Sequence, residues 1–409
     1  MEKQITIIGA GPVGSLAAIH ACSSGHTIQL LERREVIGSP DHCAGLLSRS
    51  GLAKVGFPSL PENVVQNKKI RGAKFYSPSG FCFEVHRSSV QAIVVDREKF
   101  DQYLTSLAVK RGANLLKSCA VRKVAYQNQK KLVRLSCYHA REKKTITIDS
   151  FVAILATGIH QRLLQSSALP TLNRKRFLSG YQLLMEGVVD LNVEQLELFF
   201  GNIFSPGFFA WIIPINDTTA KVGLASSHGE SKKRLERLLY KNPLTKGRFQ
   251  RAKVIKQYGG IVLDRCWLNK TVYPGIMIAG DAAGQTKATT GGGVIFGGLA
   301  GILAGKAAKA AVKEQNNSRK FLSERYETQW KALLIKQLRA MALFRWLLNR
   351  LNDKALDYAF QTVSAEGLNE IINREGDIDE QSQIIFKLLK QRTVHKLILK
   401  LLPHLTFFP

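Results

Sequence analysis

The stretch Gln4-Ile5-Thr6-Ile7-Ile8-Gly9-Ala10-Gly11-Pro12-Val13-Gly14 decides the fold class of this chain. Residues 4–8 form a short apolar run, which is typical of a buried strand. The glycines follow the pattern G-x-G-x-x-G, and the sequence after them predicts a helix over residues 13–23 and a second strand over residues 27–31. These elements predict the βαβ unit of a dinucleotide-binding Rossmann domain, and therefore a glutathione-reductase-like fold of the α/β class.

Each glycine of this motif has a predicted task. Gly9 permits a tight turn, Gly11 lets the backbone approach a pyrophosphate, and Gly14 lets the helix pack closely on the strand. The helix N-terminus adds unpaired N–H groups and the positive end of the helix dipole. Glu32, at the end of the second strand, is placed to accept hydrogen bonds from ribose hydroxyls. This context favours a dinucleotide site over a purely structural glycine turn.

Two later segments favour FAD over NAD as the dinucleotide. Gly280-Asp281 ends an apolar strand, and the run TTGGG at residues 289–293 then opens a helix. In an FAD enzyme of this type, the Asp281 carboxylate would bind the ribityl chain, and the glycines would let backbone N–H groups approach the flavin ring. Arg97, just before a predicted helix at residues 100–111, offers a cation to the phosphate or ribityl region.

The domain organisation follows from a change of pattern along the chain. Strand-like runs between about residues 177 and 225 predict an antiparallel, sheet-rich domain inserted into the first. Residues 145–155 predict a hairpin strand that leads back into the first domain. We expect an FAD-binding domain over residues 1–175 with substrate-domain segments near 60–95, a sheet-rich substrate domain over 176–265, the return of the FAD-binding domain over 266–312, and a helical C-terminal region over 313–409.

The composition is that of a globular chain, with 45% hydrophobic and 22% charged residues. A net charge of +28 favours anionic partners such as lipid headgroups, an acidic protein or nucleic acid, without choosing among them. The six cysteines lack Cys-x-x-Cys spacing and histidine partners, so we expect neither a metal site nor a disulfide framework.

We expect a cytoplasmic protein without a membrane span. The N-terminus has no basic segment followed by a long apolar stretch, so no signal peptide is predicted. The most apolar segment, residues 294–304, is shorter than the roughly 20 residues that a transmembrane helix needs.

Several motifs are shared with one flavoprotein family. They are residues 9–14, 37–40, 43–46, 96–97, 206–214, 280–284, 290–293 and 376–379. On these segments the chain resembles the geranylgeranyl reductase family of p-hydroxybenzoate-hydroxylase-like flavoproteins, and above all its archaeal digeranylgeranylglycerophospholipid reductase branch. The chain departs from the family signature P-x-x-Y-x-W-x-F-P at Phe209 and Ile213, and Ala288 replaces the proline that usually precedes the later glycines.

The resemblance implies an FAD-dependent reductase that saturates isoprenoid C=C bonds with a hydride from reduced flavin and a proton from elsewhere. It makes Cys43 the candidate proton donor, because a thiol is mostly protonated at neutral pH. Alternatively, the backbone of Cys43 and Ala44 only lines the isoalloxazine. The residues expected to bind FAD are Gly9, Gly11, Val13, Gly14, Glu32, Cys43, Ala44, Leu46, Arg97, Val121, Gly280, Asp281, Gly292, Gly293 and Val294.

Phe208, Phe209 and Trp211 are the residues expected to contact the substrate. They alternate around a predicted strand, and the resemblance implies that they floor a tunnel for a long prenyl chain. The alternative is an ordinary buried sheet core, which the spacing alone favours.

The C-terminal run over residues 384–402 has apolar residues at helical spacing, flanked by lysines at 387, 390, 396 and 400. No acidic residue follows Glu380. A basic amphipathic helix of this kind either lies on an anionic membrane surface or caps a hydrophobic domain. We expect peripheral membrane contact, because the implied substrate is itself a membrane lipid.

The expected partners are a prenylated lipid, an anionic membrane surface and an electron donor, either NAD(P)H or a ferredoxin-like acidic protein. No nucleic acid is expected, and no second strand-associated G-x-G-x-x-G predicts a nicotinamide domain. Two alternatives stay open. One is a related flavoprotein that acts on a prenyl-quinone or pigment or hydroxylates an aromatic compound. The other is a basic FAD-binding electron-transfer protein without substrate chemistry of its own.

Overall fold

The computed structural model describes residues 4–23 and 25–401, which divide into two compact units. Unit 1 comprises Met1–Asp41, Arg97–Lys175 and Arg265–Leu338. Unit 2 comprises His42–Asp96, Arg176–Asp264 and Arg339–Pro409.

The described residues form strands and helices in both units. The strands are β1 (Gln4–Ile8), β2 (Thr27–Leu31), β3 (Leu46–Ser48), β4 (Val65–Ile70), β5 (Gly72–Tyr76), β6 (Cys82–His86), β7 (Ala92–Val95), β8 (Ala113–Leu116), β9 (Cys119–Gln127), β10 (Leu132–His139), β11 (Lys144–Ser150), β12 (Val152–Leu155), β13 (Phe177–Glu186), β14 (Gln195–Phe199), β15 (Ala210–Pro214), β16 (Thr219–Ser226), β17 (Lys253–Leu263), β18 (Val272–Tyr273) and β19 (Ile276–Ile278). The helices are α1 (Pro12–Ala21), α2 (Arg49–Lys54), α3 (Arg97–Lys110), α4 (Arg162–Ser166), α5 (Ser231–Lys241), α6 (Lys246–Phe249), α7 (Val294–Lys313), α8 (Arg319–Leu322), α9 (Thr328–Leu348), α10 (Asp353–Ala365), α11 (Leu368–Glu375), α12 (Gln381–Leu389) and α13 (Arg392–Leu401).

Unit 1 is built on a six-stranded sheet with the order β18-β19-β12-β1-β2-β8. The strands from β19 to β8 are parallel, and β18 runs antiparallel to β19. The apolar run of β1 is buried from Ile5 to Ile8, as expected for a parallel strand covered on both faces. The predicted βαβ unit is therefore present, and the fold is mixed α/β.

Helix α7 is longer than the apolar segment from which the sequence predicted it. It continues past Lys306 to Lys313 and is 20 residues long, so by length and composition it could cross a membrane. Of its most apolar 18-residue window, 61% is buried within the protein. Its glycines face α1: a Cβ on Gly301 would lie 2.5 Å from the Val13 carbonyl oxygen, and one on Gly305 would lie 2.2 Å from that of Ala17. These contacts are those of a core helix packed closely on its neighbour.

The predicted hairpin strand over residues 145–155 is in fact two strands in different sheets. β11 pairs antiparallel with β10 in a three-stranded sheet of order β11-β10-β9, whereas β12 lies parallel to β1 in the six-stranded sheet. Burial alternates along β11 and is continuous along β12. The change from alternating to continuous burial at Phe151 marks the passage from a half-exposed antiparallel strand to a fully covered parallel one.

Unit 2 contains a seven-stranded sheet with the order β17-β13-β16-β15-β14-β5-β6. All neighbouring strands are antiparallel except β14 and β5, which are parallel. One face carries Val222, Leu224 and Ile212 and packs against Leu235 and Leu238 of α5. A smaller sheet of order β3-β7-β4 belongs to the same unit.

The two units differ from the expected domain boundaries at two places. Residues 42–96 group with unit 2, a longer segment than the one expected near 60–95. Residues 313–409 were expected to form one helical region, but those up to Leu338 group with unit 1 and the rest with unit 2.

The C-terminal amphipathic run forms two helices rather than one. α12 ends at Leu389 and α13 begins at Arg392. Leu397 and Leu401 of α13 are buried in a cluster with Leu356 of α10, whereas 65% of Leu399 is exposed. Leu402, the last residue of the predicted stripe, lies outside the described residues.

Candidate functional site

The glycine motif forms a tight turn at the carboxyl edge of the six-stranded sheet. Gly9 has φ of 105°, and a Cβ there would lie 2.3 Å from the Ala156 carbonyl oxygen. A Cβ on Gly14 would lie 1.8 Å from the carbonyl oxygen of Gly9. Both positions thus require glycine for reasons internal to the protein, because any side chain would collide with backbone atoms.

Gly11 differs from its two neighbours in the motif. Its φ is −74°, a value that any residue adopts, and a Cβ built on it would meet no atom within 4 Å. Neither backbone conformation nor packing within the protein explains a glycine here. The open space at the N-terminus of α1 fits a ligand that must approach the backbone closely, such as a pyrophosphate.

Glu32 lies beside this turn at the end of β2. One carboxylate oxygen accepts a hydrogen bond from the Ala10 N–H at 2.9 Å, and the other accepts one from the Arg34 N–H at 3.0 Å. These bonds fix the carboxylate next to the glycine turn, and each oxygen retains a second lone pair. The carboxylate therefore lies beside the glycine turn with lone pairs left for a ligand, and the binding of ribose hydroxyls by Glu32 stays a prediction.

Asp281 lies in the turn that follows β19 and faces Gly293, the residue that precedes α7. The Thr286 hydroxyl donates to one Asp281 carboxylate oxygen at 3.0 Å, and a Cβ on Gly293 would lie 2.2 Å from that oxygen. Desolvation raises the pKa of the Asp281 carboxyl, and the Thr286 hydrogen bond and the positive charge of Arg97 oppose the increase. The carboxylate and the helix N-terminus therefore form one compact polar site.

The remaining glycines of this region bring α1 and α7 together. Gly280 has φ of 73°, and a Cβ on it would lie 2.8 Å from Val13 Cγ2; a Cβ on Gly297 would lie 2.9 Å from the same atom. Val13 was expected to contact FAD, and the structure places its partly exposed side chain against these two glycines. Gly292 and Val294 flank Gly293, where α7 begins.

Arg97 and Val121 were also expected to contact FAD. Arg97 begins α3 and forms two hydrogen bonds with Asp101, of 3.1 and 3.2 Å. The pair holds the guanidinium where its charge acts on Asp281. Val121 lies in β9, partly exposed and opposite Cys137 of β10.

In unit 2, a row of side chains crosses the second face of the seven-stranded sheet. Strand pairing places one residue of each strand in line: Tyr258, Gln182, Gly223, Trp211, Leu198, Phe75 and Phe83. Trp211, Leu198 and Phe75 are only partly buried, whereas the ends of the row are buried. We call this set the apolar row; its partly exposed centre offers a surface for an apolar ligand.

Glycine at position 223 shapes this row. A Cβ there would lie 2.7 Å from the Trp211 ring, so only glycine lets the indole lie across strand β16. The indole N–H then donates to the Gln182 side-chain oxygen at 3.0 Å, two strands away. The Trp211 ring is therefore fixed in orientation by a steric and a polar contact.

Phe208 and Phe209 precede β15 instead of alternating along it. Their rings stack with centroids 4.3 Å apart, and the Arg345 guanidinium lies 4.5 Å from the Phe208 centroid. Only 5% of Phe208 and 8% of Phe209 are exposed. The Phe209 ring meets the Trp211 ring edge-on, with centroids 6.1 Å apart. Trp211 is the most exposed of the three residues, and the two phenylalanines support it from within.

The loop that carries Cys43 packs on the same face of the sheet. The Gln182 side-chain N–H₂ donates to the Cys43 carbonyl at 3.5 Å, and the Lys221 ammonium donates to the Ala44 and Val95 carbonyls, both at 3.1 Å. Ala44 and Leu46 pack against the same apolar cluster as Trp211 and Ile378. Cys43, Trp211 and Gln182 therefore belong to one site within unit 2.

The segment Gly376-Asp377-Ile378-Asp379 closes part of this site. Asp377 accepts backbone N–H groups of Asp379 and Glu380 at 2.7 and 2.9 Å, and Asp379 accepts the Ser48 hydroxyl. Burial raises the pKa of Asp377, but these backbone hydrogen bonds, together with a hydrogen bond from Ser50 and the positive charge of Lys54, outweigh that effect and lower the pKa. An ionised Asp377 thus holds the turn that presents Ile378 to the apolar cluster.

The sequence did not single out Gln182, Lys221 or Thr286. A lysine at the start of the strand-like run KVGLAS was the available signal for Lys221, since a charge in a buried strand needs partners. Gln182 and Thr286 give no such signal. Among the described residues, no group of three or more His, Cys, Asp or Glu side chains is placed to hold a metal ion.

Three comparisons relate the chain to known proteins. Residues 177–262 match the family model of the geranylgeranyl reductase catalytic domain. The chain is 30% identical over 373 residues to a digeranylgeranylglycerophospholipid reductase of Methanocaldococcus jannaschii, covering 90% of this chain and 91% of the relative. It is 29% identical to digeranylgeranylglycerophospholipid reductase 2 of Methanothermobacter thermautotrophicus, covering 91% and 94%.

Solved structures agree on the fold. A geranylgeranyl bacteriochlorophyll reductase-like protein from Thermoplasma acidophilum superimposes with a TM-score of 0.84 at 24% identity and covers 98% of both chains. The flavin-dependent brominase Bmp2 superimposes with a TM-score of 0.72 at 19% identity, covering 95% of this chain and 98% of the brominase.

Replacing Asp281 by asparagine tests whether this carboxylate serves binding at the expense of stability. Desolvation raises the pKa of the Asp281 carboxyl in the folded protein above its value in the unfolded chain. The carboxyl therefore ionises more readily in the unfolded chain, and the folded protein loses stability as the pH rises from the unfolded pKa through the folded pKa. Asparagine does not titrate, so the FAD-free Asp281→Asn variant should have the higher urea midpoint, by a margin that grows from about pH 4 to about pH 8. Its affinity for the flavin dinucleotide should fall about tenfold through the loss of a charged acceptor.

Asp217→Asn is the matched control, because Asp217 is exposed. A margin in the urea midpoint that is the same at both pH values, or an unchanged FAD affinity, would contradict this role of Asp281.

Proposed function

Because the chain belongs to the geranylgeranyl reductase family, we propose that it is an FAD-dependent reductase that saturates C=C bonds in the geranylgeranyl chains of membrane phospholipids. The family's catalytic-domain match, residues 177–262, supplies Tyr258, Gln182, Gly223 and Trp211 of the apolar row. This coincidence of a family match with a partly exposed apolar surface carries the proposal. Its relatives bear the name of reductases that act on such lipids.

FAD is held by unit 1 in this proposal. The open space at Gly11 receives the pyrophosphate, Glu32 accepts the ribose hydroxyls, and the polar site of Asp281 and Gly293 receives the ribityl chain and flavin edge. Reduced FAD supplies the hydride for the reaction. Unit 1 is thus the FAD-binding unit, and unit 2 is the substrate-binding unit.

The prenyl chain lies along the apolar row. An unactivated alkene offers no group for hydrogen bonding, so its binding must come from burial of apolar surface. Trp211, Leu198 and Phe75 provide that surface, and the fixed Trp211 ring limits the space available to the chain. A branched, flexible isoprenoid fits a surface of this kind better than a polar substrate does.

The reaction needs one hydride and one proton for each double bond. In our proposal the Cys43 thiol gives the proton: its S–H bond breaks, a C–H bond forms, and the thiolate takes a proton back from water. Cys43 is partly exposed and lies on the face of the sheet that carries the apolar row. The electrons come from NAD(P)H or from an acidic ferredoxin-like protein, which the net charge of +28 would attract.

The function is tested by incubating the purified protein with a digeranylgeranyl glycerophospholipid and dithionite, followed by mass spectrometry of the lipid. Stepwise gains of two hydrogens that depend on FAD are expected. Dithionite replaces the unknown donor, so the outcome depends only on cofactor and substrate. An unchanged lipid mass with FAD bound and reduced would refute the lipid-reductase function.

Replacing Cys43 by alanine tests its chemical role in the same assay. The Cys43→Ala variant should retain FAD and lose about a hundredfold in the rate of lipid reduction, the usual contribution of a positioned acid. Cys22→Ala is the control, because it removes a partly buried thiol at the C-terminal end of α1 in unit 1. Unchanged turnover of Cys43→Ala at saturating dithionite would contradict the role of Cys43 as proton donor, and Cys43 would then only line the flavin site.

Peripheral association with the membrane is the second part of the proposal. Leu399 is 65% exposed on α13, between Lys396 and Lys400, and no acidic residue follows Glu380. An exposed apolar side chain among lysines matches an anionic lipid surface, because the side chain can insert between the lipids while the lysines bind the anionic headgroups. The occupant of this surface is therefore an anionic phospholipid bilayer, the place where the substrate resides.

Vesicle sedimentation checks this surface. The protein should sediment with phosphatidylglycerol vesicles and be released by salt, and Leu399→Asp should weaken binding about tenfold. Val254→Asp is the matched control, since Val254 is 49% exposed on β17 of the same unit. Equal binding of the two variants would exclude α13 as the contact.

A further inference from the structure

We propose that Arg33 and His160 form an adenine subsite in unit 1, in which a guanidinium and an imidazole stack on the purine ring of FAD. The inference deepens the proposed function and rests on it for the position of the pyrophosphate at Gly11. The two residues would then select the cofactor. A ligand with a purine base gains their contact, whereas FMN, which has no adenosine half, does not.

The two side chains are joined at the carboxyl edge of the six-stranded sheet. β1 lies between β2 and β12, and the three strands are parallel. Arg33 follows the end of β2 by two residues, and His160 follows the end of β12 by five. Arg33 Nη2 donates to His160 Nε2 at 2.6 Å. The pair therefore bridges the ends of the two strands that flank the glycine turn.

The place of the pair matches the order of groups in the dinucleotide. In the proposed site the pyrophosphate lies at Gly11 and the adenosine ribose at Glu32, whose carboxylate is fixed beside the glycine turn. The adenine ring is attached to the same ribose, so it lies next to the residues that border Glu32. Arg33 is the next residue of the chain, and its bond to His160 shows that its side chain extends back across the end of β1. The pair therefore borders the space that the base occupies.

Both side chains have the shape that a purine ring requires. A guanidinium is planar and stacks on aromatic rings, and an imidazole is itself an aromatic ring. The guanidinium has donors only, so the His160 nitrogen is the acceptor of the bond between them. This bond restricts the rotation of two exposed side chains before a ligand arrives, which reduces the entropy lost on binding.

Three arginines and Glu32 make this part of the sheet edge strongly charged. Desolvation lowers the pKa of the Arg33 guanidinium, and the positive charges of Arg34 and Arg162 lower it further, whereas Glu32 opposes them. Such a group of cations attracts any diphosphate, whatever its base. Recognition of the base must therefore be measured separately from attraction of the phosphates.

ADP and UDP allow this separation, because they share the ribose and the diphosphate and differ only in the base. Each nucleotide is titrated calorimetrically into the full chain freed of FAD, and the two dissociation constants are compared. The native chain should bind ADP about tenfold more tightly than UDP, because a purine stacks over a larger area than a pyrimidine.

Two variants test the two residues. Arg33→Gln removes the planar cation, and His160→Ala removes the imidazole. Both should reduce the preference for ADP from about tenfold to about twofold, through loss of stacking on the base. The urea midpoint of the FAD-free protein should stay the same in both, because the two side chains are exposed. A purely structural role would change the midpoint and leave the preference intact.

Arg34→Gln is the matched control, because it removes the positive charge of the adjacent residue. It should weaken ADP and UDP equally and keep the native preference. A native chain without preference for ADP, variants of Arg33 and His160 that keep it, or an equal loss of preference in Arg34→Gln would each overturn the proposal.

The FAD-loaded protein gives a second measurement if the FAD-free chain does not stay folded. On dilution, His160→Ala should release FAD about tenfold faster than the native protein, followed by the recovery of flavin fluorescence. Release at the native rate would overturn the proposal.

None of these measurements needs a lipid. A native chain that binds neither nucleotide would refute the site of the pyrophosphate at Gly11, and the adenine subsite with it. Loss of the preference for ADP in variants of a protein that reduces no lipid would refute the proposed reaction and leave the subsite intact. Lipid reduction with an unchanged preference in both variants would do the opposite.

Discussion

The contact between Gly9 and Gly14 is the constraint on which unit 1 depends. A Cβ on Gly14 would lie 1.8 Å from the Gly9 carbonyl oxygen, so α1 can begin directly at the end of β1 only with glycine at that position. Val13 then meets Gly280 and Gly297, and Gly301 and Gly305 let α7 lie against α1. The N-termini of both helices consequently lie near the carboxyl edge of the sheet, where their dipoles favour an anionic ligand.

Unit 2 depends on a different constraint, because it holds apolar side chains in a fixed orientation on one face of its sheet. One face of its sheet is filled by α5, and the other carries the apolar row, in which Gly223 makes room for Trp211 and Gln182 holds the indole. Gln182 also holds the Cys43 carbonyl, and Lys221 holds Ala44. A few buried polar groups thus orient an otherwise non-directional apolar site, which hydrophobic contacts alone would leave loosely defined.

The sequence predicted the parts of the molecule that depend on neighbours in the chain. The strand, glycine turn, helix and Glu32 of the βαβ unit follow a short pattern, and the structure confirms the elements at nearly the expected bounds. The bond from Lys221 to Ala44 joins residues 177 positions apart, and that from Gln182 to Cys43 joins residues 139 apart. Periodicity carries no information at such separations. The sequence predicted one strand over residues 145–155, whereas β11 and β12 lie in different sheets. The reason is related, since strands distant in the chain decide which sheet a strand joins.

The central claim is that the glycines of the first turn are divided between folding and ligand binding, with Gly11 reserved for FAD. It is tested most directly by purifying Gly11→Val and measuring its flavin absorption together with its urea midpoint without FAD. The account predicts a folded, colourless protein whose midpoint matches that of the FAD-free native chain, because the added side chain meets no protein atom within 4 Å at its Cβ. A variant that purifies yellow, with FAD bound at one equivalent, would contradict the account.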